Sequence, residues 1–261
     1  MNLYNQKINY LVPIYNRENY IEETLDSIVI DIKNFINKKI ILLDDGSNDQ
    51  SLKIIQNYKI RNNLPYIEIH HQDNLGIVAA RNKLISLSSN EAWLFLIDSD
   101  DRNINGRTIK VLDYMIKNEI NICGTFLQCF GESEKIFSYP TDNYTLKKMS
   151  GYISVFGNPS VAFSPGIKKL LAYRELPEDF HLFKDLSSSN LKFGNLAKPL
   201  VEYRTHNEQI TIELSKSKNV CFITKLLPLF FIIFDFKISY FDKFWFMKNY
   251  LAFGKIKSYF K

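Results

Sequence analysis

Cysteine is scarce in this chain. Cys123, Cys129 and Cys221 are odd in number and form no C-x-x-C pair. Neither a disulfide framework nor a zinc site is expected, and a reducing compartment is the simpler reading. Long apolar runs are missing too: no stretch of about 18 or more uncharged apolar residues occurs, so no membrane-spanning helix is expected. Met1 to Lys7 is polar and leads straight into a strand-like run, without the pattern of a secretory leader. Internal repeats and low-complexity linkers are absent. The charge imbalance is small, with a formal net charge of +5 and a pI near 8.9. What is present is apolar material. The 261 residues are 46% hydrophobic, enough for one large domain or one domain plus a tail.

The stretch that organises the chain is Trp93-Leu94-Phe95-Leu96-Ile97-Asp98-Ser99-Asp100-Asp101. It is an apolar run one buried strand long that ends in three carboxylates. In open α/β sheets, ligands bind just outside the carboxyl ends of the strands. Asp98 and Asp100 can aim hard oxygen ligands at a divalent cation and at a ribose or diphosphate. The plain alternative is a polar turn closing a strand.

Three strand-plus-helix units precede that stretch. Ile8–Ile14 is a strand that Pro13 should end, because proline lacks an N–H for the ladder. From Asn19, apolar residues at Tyr20/Ile21, Leu25, Ile28/Val29, Ile32 and Phe35/Ile36 follow helical spacing. Ile40–Leu43 is a second strand running into an acidic turn, Asp44-Asp45-Gly46-Ser47. Ser47 with Gln50 matches a capping box and predicts a helix start there. Tyr66–His70 alternates as a third strand, Asn74-Leu75-Gly76 makes a turn, and Ile77–Leu87 reads as a helix carrying Arg81. This order implies a parallel, doubly wound sheet. Farther on, Ile109–Ile116 and Tyr144–Met149 read as helices, and Ile120–Phe130, Ser160–Phe163 and Leu200–Arg204 as strands. Ser164-Pro165 reads as an N-cap followed by proline at the first helical position, and Phe180–Leu186 as another helix.

Four blocks then carry a resemblance. They are Val12-Pro13-Ile14-Tyr15-Asn16-Arg17, Leu43-Asp44-Asp45-Gly46-Ser47, Asn74-Leu75-Gly76 with Ala79-Ala80-Arg81-Asn82, and Leu96-Ile97-Asp98-Ser99-Asp100-Asp101. In this order, each at a strand end, they resemble a family 2 glycosyltransferase of bacterial cell-surface polysaccharide type, including lipopolysaccharide assembly. Asn158-Pro159-Ser160-Val161, Glu178-Asp179 and Tyr203-Arg204-Thr205-His206 resemble the family's acceptor-side motifs, although the segment from Phe163 to Glu178 is shorter than the family pattern. The resemblance implies an α/β, GT-A-like doubly wound, mostly parallel sheet with helices on both faces, plus a helical C-terminal tail. Residues 1–215 would form the catalytic domain, with a nucleotide-sugar half (1–105) and an acceptor half (106–215). Residues 216–261 would form the tail.

The resemblance also implies roles. Pro13, Tyr15, Asn16, Arg17, Asp44, Asp45, Asn74, Gly76, Arg81, Asp98 and Ser99 would bind a nucleotide diphosphate sugar, a UDP-sugar by preference. Asp45 is the first choice for accepting the imide N–H of uracil, and capping support is the plain alternative for it and Asp44. Arg81 would meet the diphosphate or Asp98; otherwise it is a solvated helix arginine. Asp98, Asp100 and His206 would hold Mn²⁺ or Mg²⁺, with Asp101 a neighbouring cap. Asp179, with Glu178 as runner-up, would take the proton of a glycan or lipid-linked acceptor hydroxyl in an inverting single displacement; the alternative is an acidic pair favoured by a helix start.

Two other readings stand beside this one. A sugar-1-phosphate nucleotidyltransferase would carry a glycine-rich loop after the first strand, and Tyr15-Asn16-Arg17-Glu18-Asn19 has no glycine. A non-catalytic sugar-nucleotide-binding protein is disfavoured by the intact Asp98, Asp100 and Asp179. The tail, 219–261, has seven lysines against Asp235 and Asp242, set among Phe and Leu. That composition argues against nucleic acid and for an anionic membrane surface; packing on the catalytic domain or a homodimer contact is the alternative. The expected location is cytoplasmic, peripheral on the inner face of the membrane.

Overall fold

The computed structural model describes residues 2–132, 134–174, 177–205 and 237–248. In chain order the elements are β1 (Ile8–Ile14), α1 (Ile21–Ile32), β2 (Lys38–Asp45), α2 (Ser51–Arg61), β3 (Ile67–Gln72), α3 (Ile77–Leu87), β4 (Trp93–Leu96), β5 (Arg102–Asn103), α4 (Arg107–Asn118), β6 (Ile122–Gly131), β7 (Ile136–Phe137), α5 (Asn143–Ser150), β8 (Ala162–Phe163), α6 (Glu178–Ser187) and β9 (Phe193–Thr205). They build one nine-stranded sheet in the order β3-β2-β1-β4-β8-β6-β9-β5, with β7 on β6. The long pairings, β1 with β2 and β4, β2 with β3, and β6 with β9, are parallel. The antiparallel pairings each span two residues. The sheet is therefore mixed and mostly parallel, as expected.

The apolar patterning explains the layers. In β1, Ile8, Tyr10, Leu11, Val12 and Ile14 are all buried, because parallel strands are covered on both faces. Each such side chain contributes ~1.5–3 kcal/mol of burial before conformational entropy is counted. On one face the core takes Ile21, Leu25, Ile28 and Ile32 of α1, Ile55 of α2, and Val111, Leu112 and Met115 of α4. On the other it takes Ala80, Leu84 and Ile85 of α3, Leu146 and Met149 of α5, and Leu182, Phe183 and Leu186 of α6. The second core also includes Ile238, Trp245 and Phe246. The helical stretch 240–248 thus packs one edge onto the domain, with Trp245 Nε1 donating to Ser138 O at 2.6 Å.

The topology locates a crevice. The chain runs β1, β2, β3 to one edge, then returns to lay β4 on the other side of β1. Order reverses between β1 and β4, and a crevice opens there at the carboxyl ends of the strands. Pro13 to Tyr15 and Asp98 to Asp101 border it.

Three local expectations are corrected. β2 runs through Asp44 and Asp45, which pair with His71 and Gln72; the acidic pair is strand, not turn. Ser47 caps no helix. Its Oγ accepts from Asn16 N at 3.0 Å, and α2 begins at Ser51, whose N–H donates to Asp49 Oδ1 at 2.9 Å. Ser164-Pro165 starts no α-helix: Asn121 Nδ2 donates to Ser164 Oγ at 3.2 Å, Gly166 follows at φ +87°, and only a single 3₁₀ turn, Lys168–Leu170, forms. β9 is also longer than the expected Leu200–Arg204. Its first half pairs with β6 across an irregularity that carries Pro199, where a missing N–H does no harm.

Candidate active site

Two loops lace together at the ends of β1 and β2. Asn48 N donates to Asn16 Oδ1 at 2.9 Å, Arg17 N to Ser51 Oγ at 2.7 Å, and Glu18 N to Asp49 Oδ2 at 3.0 Å. Asn16 holds φ +51°, a conformation asparagine tolerates. The lacing leaves the Tyr15 side chain exposed at the rim. Gly46 has φ +72°, and a Cβ there would lie 2.7 Å from Asn74 N, so only glycine lets the Asn74 turn come this close.

Asp45 organises that turn. Its Oδ1 accepts from Gln72 Nε2 at 2.7 Å and Leu75 N at 3.0 Å, and its Oδ2 from Gly76 N at 2.9 Å. A carboxylate has about four acceptor positions, so roughly one remains, on Oδ2. Asp44 is fully buried; its Oδ2 contacts His71 Nδ1 at 2.8 Å and Ser47 N at 3.3 Å. These contacts make Asp44 a support for the loop.

The acidic strand end lies beside them. Arg17 Nε stands 3.3 Å from Asp100 Oδ2, and Arg81 Nη2 donates to Asp98 Oδ1 at 2.9 Å. Ser99 is buried between the two carboxylates. Burial raises the Asp98 pKa, Arg81 and Arg17 pull it down, and the charges of Asp100 and Asp179 push it up again. Asp101 is fully buried and accepts from Arg204 N at 2.9 Å, while Arg204 Nε donates to Asp100 O at 2.9 Å. Burial, then Asp100 and Asp98, hold the Asp101 carboxyl well above the ordinary range. Behind the strand, the fully buried Arg107 donates from Nη2 to Leu96 O at 2.9 Å and from Nη1 to Asn103 Oδ1 at 2.7 Å, which pins the backbone leading to Asp98.

Arg81 is not a solvated helix residue. It is buried, and besides Asp98 it reaches Glu178, with Nε 3.4 Å from Oε1. The Asn158 amide lies against the guanidinium and, with its oxygen turned inward, accepts from Arg81 Nη2 at 2.9 Å. The Tyr173 ring lies 5.6 Å from Arg81 Cζ. Arg81 therefore brings the Asp98 carboxylate at the end of β4 into one cluster with the first turn of α6. Asp179 follows Glu178 there. Ser154 Oγ donates to Asp179 Oδ2 at 2.8 Å, and Phe180 N donates to Oδ1 at 2.8 Å. Burial raises the Glu178 pKa despite Arg81. Pro13, Arg81, Ile97, Asp98 and Tyr173 line a small cavity at this point.

The structure thus brings together Pro13, Arg17, Arg81, Asp98, Ser99, Asp100, Glu178 and Asp179, and it gathers Asp44 and Asp45 at the end of β2 with Asn16, Asn74 and Gly76 beside them. His206 lies outside the described residues. Among the described residues, no group of three or more His, Cys, Asp and Glu side chains is arranged to hold a metal. Asp98 and Asp100 alone fit a Mn²⁺ or Mg²⁺ that takes its other ligands from substrate and water. They are hard oxygen donors at one strand end; burial first, and then the charge of Asp100, raises the Asp98 pKa, and a cation relieves both. Sequence reasoning missed Tyr173, Asn158 as a partner of Arg81, and Arg107. Asn82 belongs to the third of the four motifs, and its side chain fixes the Tyr173 backbone; Tyr173 itself has no local sequence signal.

Comparison with known proteins adds to this geometry. The model of the family described as glycosyl transferase family 2 matches residues 10–166. The chain is 32% identical over 160 residues to glycosyltransferase GlyA of Streptococcus pneumoniae, covering 60% of this chain and 22% of that protein. It is 33% identical over 129 residues to the minor teichoic acid biosynthesis protein GgaA of Bacillus subtilis, covering 48% of this chain and 28% of that protein. It spans about a quarter of the length of these curated relatives. Among solved structures, S. aureus TarS 1-349 in complex with UDP-GlcNAc is similar at a TM-score of 0.61 and 17% identity, over 98% of this chain and 71% of that one. Mannosyltransferase PcManGT from Pyrobaculum calidifontis, in complex with GDP-Man and Mn²⁺, is similar at a TM-score of 0.62 and 11% identity, over 81% and 60%. These structural likenesses establish the GT-A fold.

Proposed function

The chain belongs to glycosyl transferase family 2, and from that premise we propose that it transfers a sugar from a nucleotide diphosphate sugar, UDP-linked by preference, to a hydroxyl of a glycan or lipid-linked acceptor. One observation carries the reading. Arg81 joins the Asp98 carboxylate at the switch point to Glu178, next to Asp179, so a donor site and a candidate base share one crevice. The solved relatives' complexes, with UDP-GlcNAc and with GDP-Man and Mn²⁺, support the substrate class.

The residues suit an inverting displacement. The laced loops at β1 and β2 offer Tyr15 as a surface for the base, and Asp45 retains one acceptor position, the number a single imide N–H of uracil requires. Asp98 and Asp100 would hold Mn²⁺ or Mg²⁺, which supplies charge neutralisation at the departing diphosphate when bound. Arg17 adds fixed positive charge beside Asp100. Asp179 takes the proton of the acceptor hydroxyl as its oxygen bonds to the anomeric carbon; the bond from that carbon to the diphosphate oxygen breaks, and the nucleoside diphosphate leaves. Asp179 is the better base of the pair. Each of its oxygens accepts one intramolecular bond and keeps a lone pair, whereas Glu178 is engaged by Arg81. The test is release of nucleoside diphosphate from a panel of UDP-, GDP- and dTDP-sugars with Mn²⁺ present; no release above background from any donor would overturn the reading.

A membrane-surface location near a lipid-linked acceptor is part of the proposal. Among the described residues no helix is long and apolar enough to cross a membrane. The stretch 240–248 seats Trp245 and Phe246 in the core and exposes Tyr240, Phe241 and Phe244 beside Lys243 and Lys248. An aromatic face with a basic rim suits a helix lying in the interface of an anionic bilayer.

A further inference from the structure

Tyr173 is 3% exposed, and its hydroxyl has no hydrogen-bond partner among the described residues. It lines the cavity shared with Pro13, Arg81, Ile97 and Asp98. A buried hydroxyl without a partner is costly, yet the chain holds it firmly. Asn82 Nδ2 donates to Tyr173 O at 2.7 Å, and Tyr173 N donates to Asn82 Oδ1 at 2.9 Å. Arg81 packs against the ring. Burial raises the phenol pKa; Arg81 opposes this, and the carboxylates of Glu178, Asp179 and Asp98 add to it. The hydroxyl is therefore a protonated donor near three carboxylates, and the structure pairs it with none of them.

We propose that the Tyr173 hydroxyl is a substrate-binding group, donating a hydrogen bond to an oxygen of the sugar carried by the donor nucleotide. The inference rests on the glycosyl-transfer reading and deepens it. The sugar must lie between the diphosphate, near Asp98 and Asp100, and the base, Asp179. Tyr173 borders that interval beside Arg81 and Asp98, whereas Asn16, Asp45 and Gly76 would face the nucleobase. The cavity itself is only water-sized and mostly apolar, so nothing inside it satisfies the hydroxyl; a sugar oxygen brought to its edge beside Arg81 and Asp98 would, and the cost of keeping it unpaired is offset at that moment.

The experiment compares the full chain with Tyr173→Phe, which keeps the ring over Arg81. Calorimetric titrations with Mn²⁺ use UDP, GDP and dTDP, and UDP-glucose, UDP-GlcNAc, GDP-mannose and dTDP-glucose. The variant is expected to bind the bare nucleoside diphosphate as the wild type does, and to bind the preferred sugar nucleotide about 2- to 10-fold more weakly, the range for one neutral hydrogen bond. Its Tm without ligand should be unchanged or raised, because only an unpartnered hydroxyl is lost. Equal affinities for the sugar nucleotide overturn the inference. So does an equal loss for the bare nucleotide, which would assign the hydroxyl to the nucleotide, and so does a lowered Tm, which would assign it to the fold. A wild-type chain that binds none of the nucleotides overturns the glycosyl-transfer reading itself.

Discussion

Arg81 donates from Nη2 to Oδ1 of Asp98 at 2.9 Å, joining α3 to the end of β4 across the mouth of the crevice. The same guanidinium lies 3.4 Å from Glu178, and both Arg81 and Glu178 are largely shielded from water. Arg81→Ala removes a side chain that opposes both carboxylates, and breaking a buried pair in this way costs ~3–5 kcal/mol. Arg81→Lys restores the charge but not the fork, so it should recover part of the stability and little turnover. Thermal denaturation and donor turnover of both variants check this; an alanine variant as stable as wild type would show that Arg81 does not hold Asp98 and Glu178 together.

Glu178 and Asp179 should separate on substitution. Asp179→Asn keeps size and can still accept from Phe180 N, but removes the proton acceptor. Turnover should fall by roughly 10²–10⁴, with nucleotide affinity nearly unchanged. Glu178→Gln should lower turnover by about tenfold or less, since Gln can still accept from Arg81. Steady-state kinetics beside nucleotide titration decide between them; a larger loss in Glu178→Gln would reverse the assignment.

Burial, which raises the Glu178 pKa, also gives this carboxyl a definite sign in stability. A carboxyl whose pKa is higher folded than unfolded binds more protons in the folded state across the window between the two values. Its contribution is present below the unfolded pKa and is lost as pH rises through the folded one. Glu178→Gln should therefore match wild type near the ordinary glutamate pKa and become the more stable of the two by neutral pH. Denaturant unfolding from about pH 4 to about pH 8, the span over which a raised carboxyl gives up its proton, reads the divergence. Parallel curves would remove Glu178 as the source.

The acidic strand end was legible because an apolar run of strand length stops at Asp98, a contrast that survives in any register. The parallel, doubly wound first half of the sheet was legible because helical and strand periodicities alternate before it. What failed was local chemistry redirected over distance. Ser47 has the spacing of a capping box, but its hydroxyl is taken by the Asn16 N–H, and Asp49 holds the Ser51 N–H at the start of α2. Arg107 has the sequence surroundings of an ordinary helix residue, yet its guanidinium is sunk behind β4 because Leu96 O and Asn103 accept from it. Tyr173 meets Asn82 across 91 positions of chain, and no pattern of neighbouring residues encodes that contact.

Metal dependence follows from the donor set at that strand end. Activity should require Mn²⁺ or Mg²⁺ and vanish in excess EDTA. Asp100→Ala should lose turnover while its Tm stays within a few degrees of wild type, since Arg17, its ion-pair partner, also bonds the carbonyls of Tyr15 and Asn16. Full turnover in chelator would end the metal assignment and leave Arg17 and Arg81 as the charges facing the diphosphate.

The stretch 240–248 allows the membrane reading to be tested without cutting the chain. Deleting the tail would uncover Ile238, Trp245 and Phe246, which belong to the core that includes α5 and α6, so a truncated chain that failed to bind vesicles would also be a damaged one. The outward residues can be changed instead. Tyr240 is 87% exposed, Phe241 70% and Phe244 57%, so replacing all three with serine should alter Tm little while removing apolar insertion. Lys243→Glu and Lys248→Glu test the basic rim separately, since each nearby lysine is worth about 1 kcal/mol on an anionic surface. By contrast Trp245→Ala should destabilise by about 3–5 kcal/mol, the range for a buried aromatic. Co-sedimentation with vesicles, neutral and anionic, at low and high salt, reads the outcome. Wild-type binding that weakens in the triple-serine variant and falls with salt supports an interfacial helix. If wild type and the triple variant sediment alike at every salt concentration, the exposed aromatics serve something other than a bilayer, and the helix is explained by its packing on the catalytic domain.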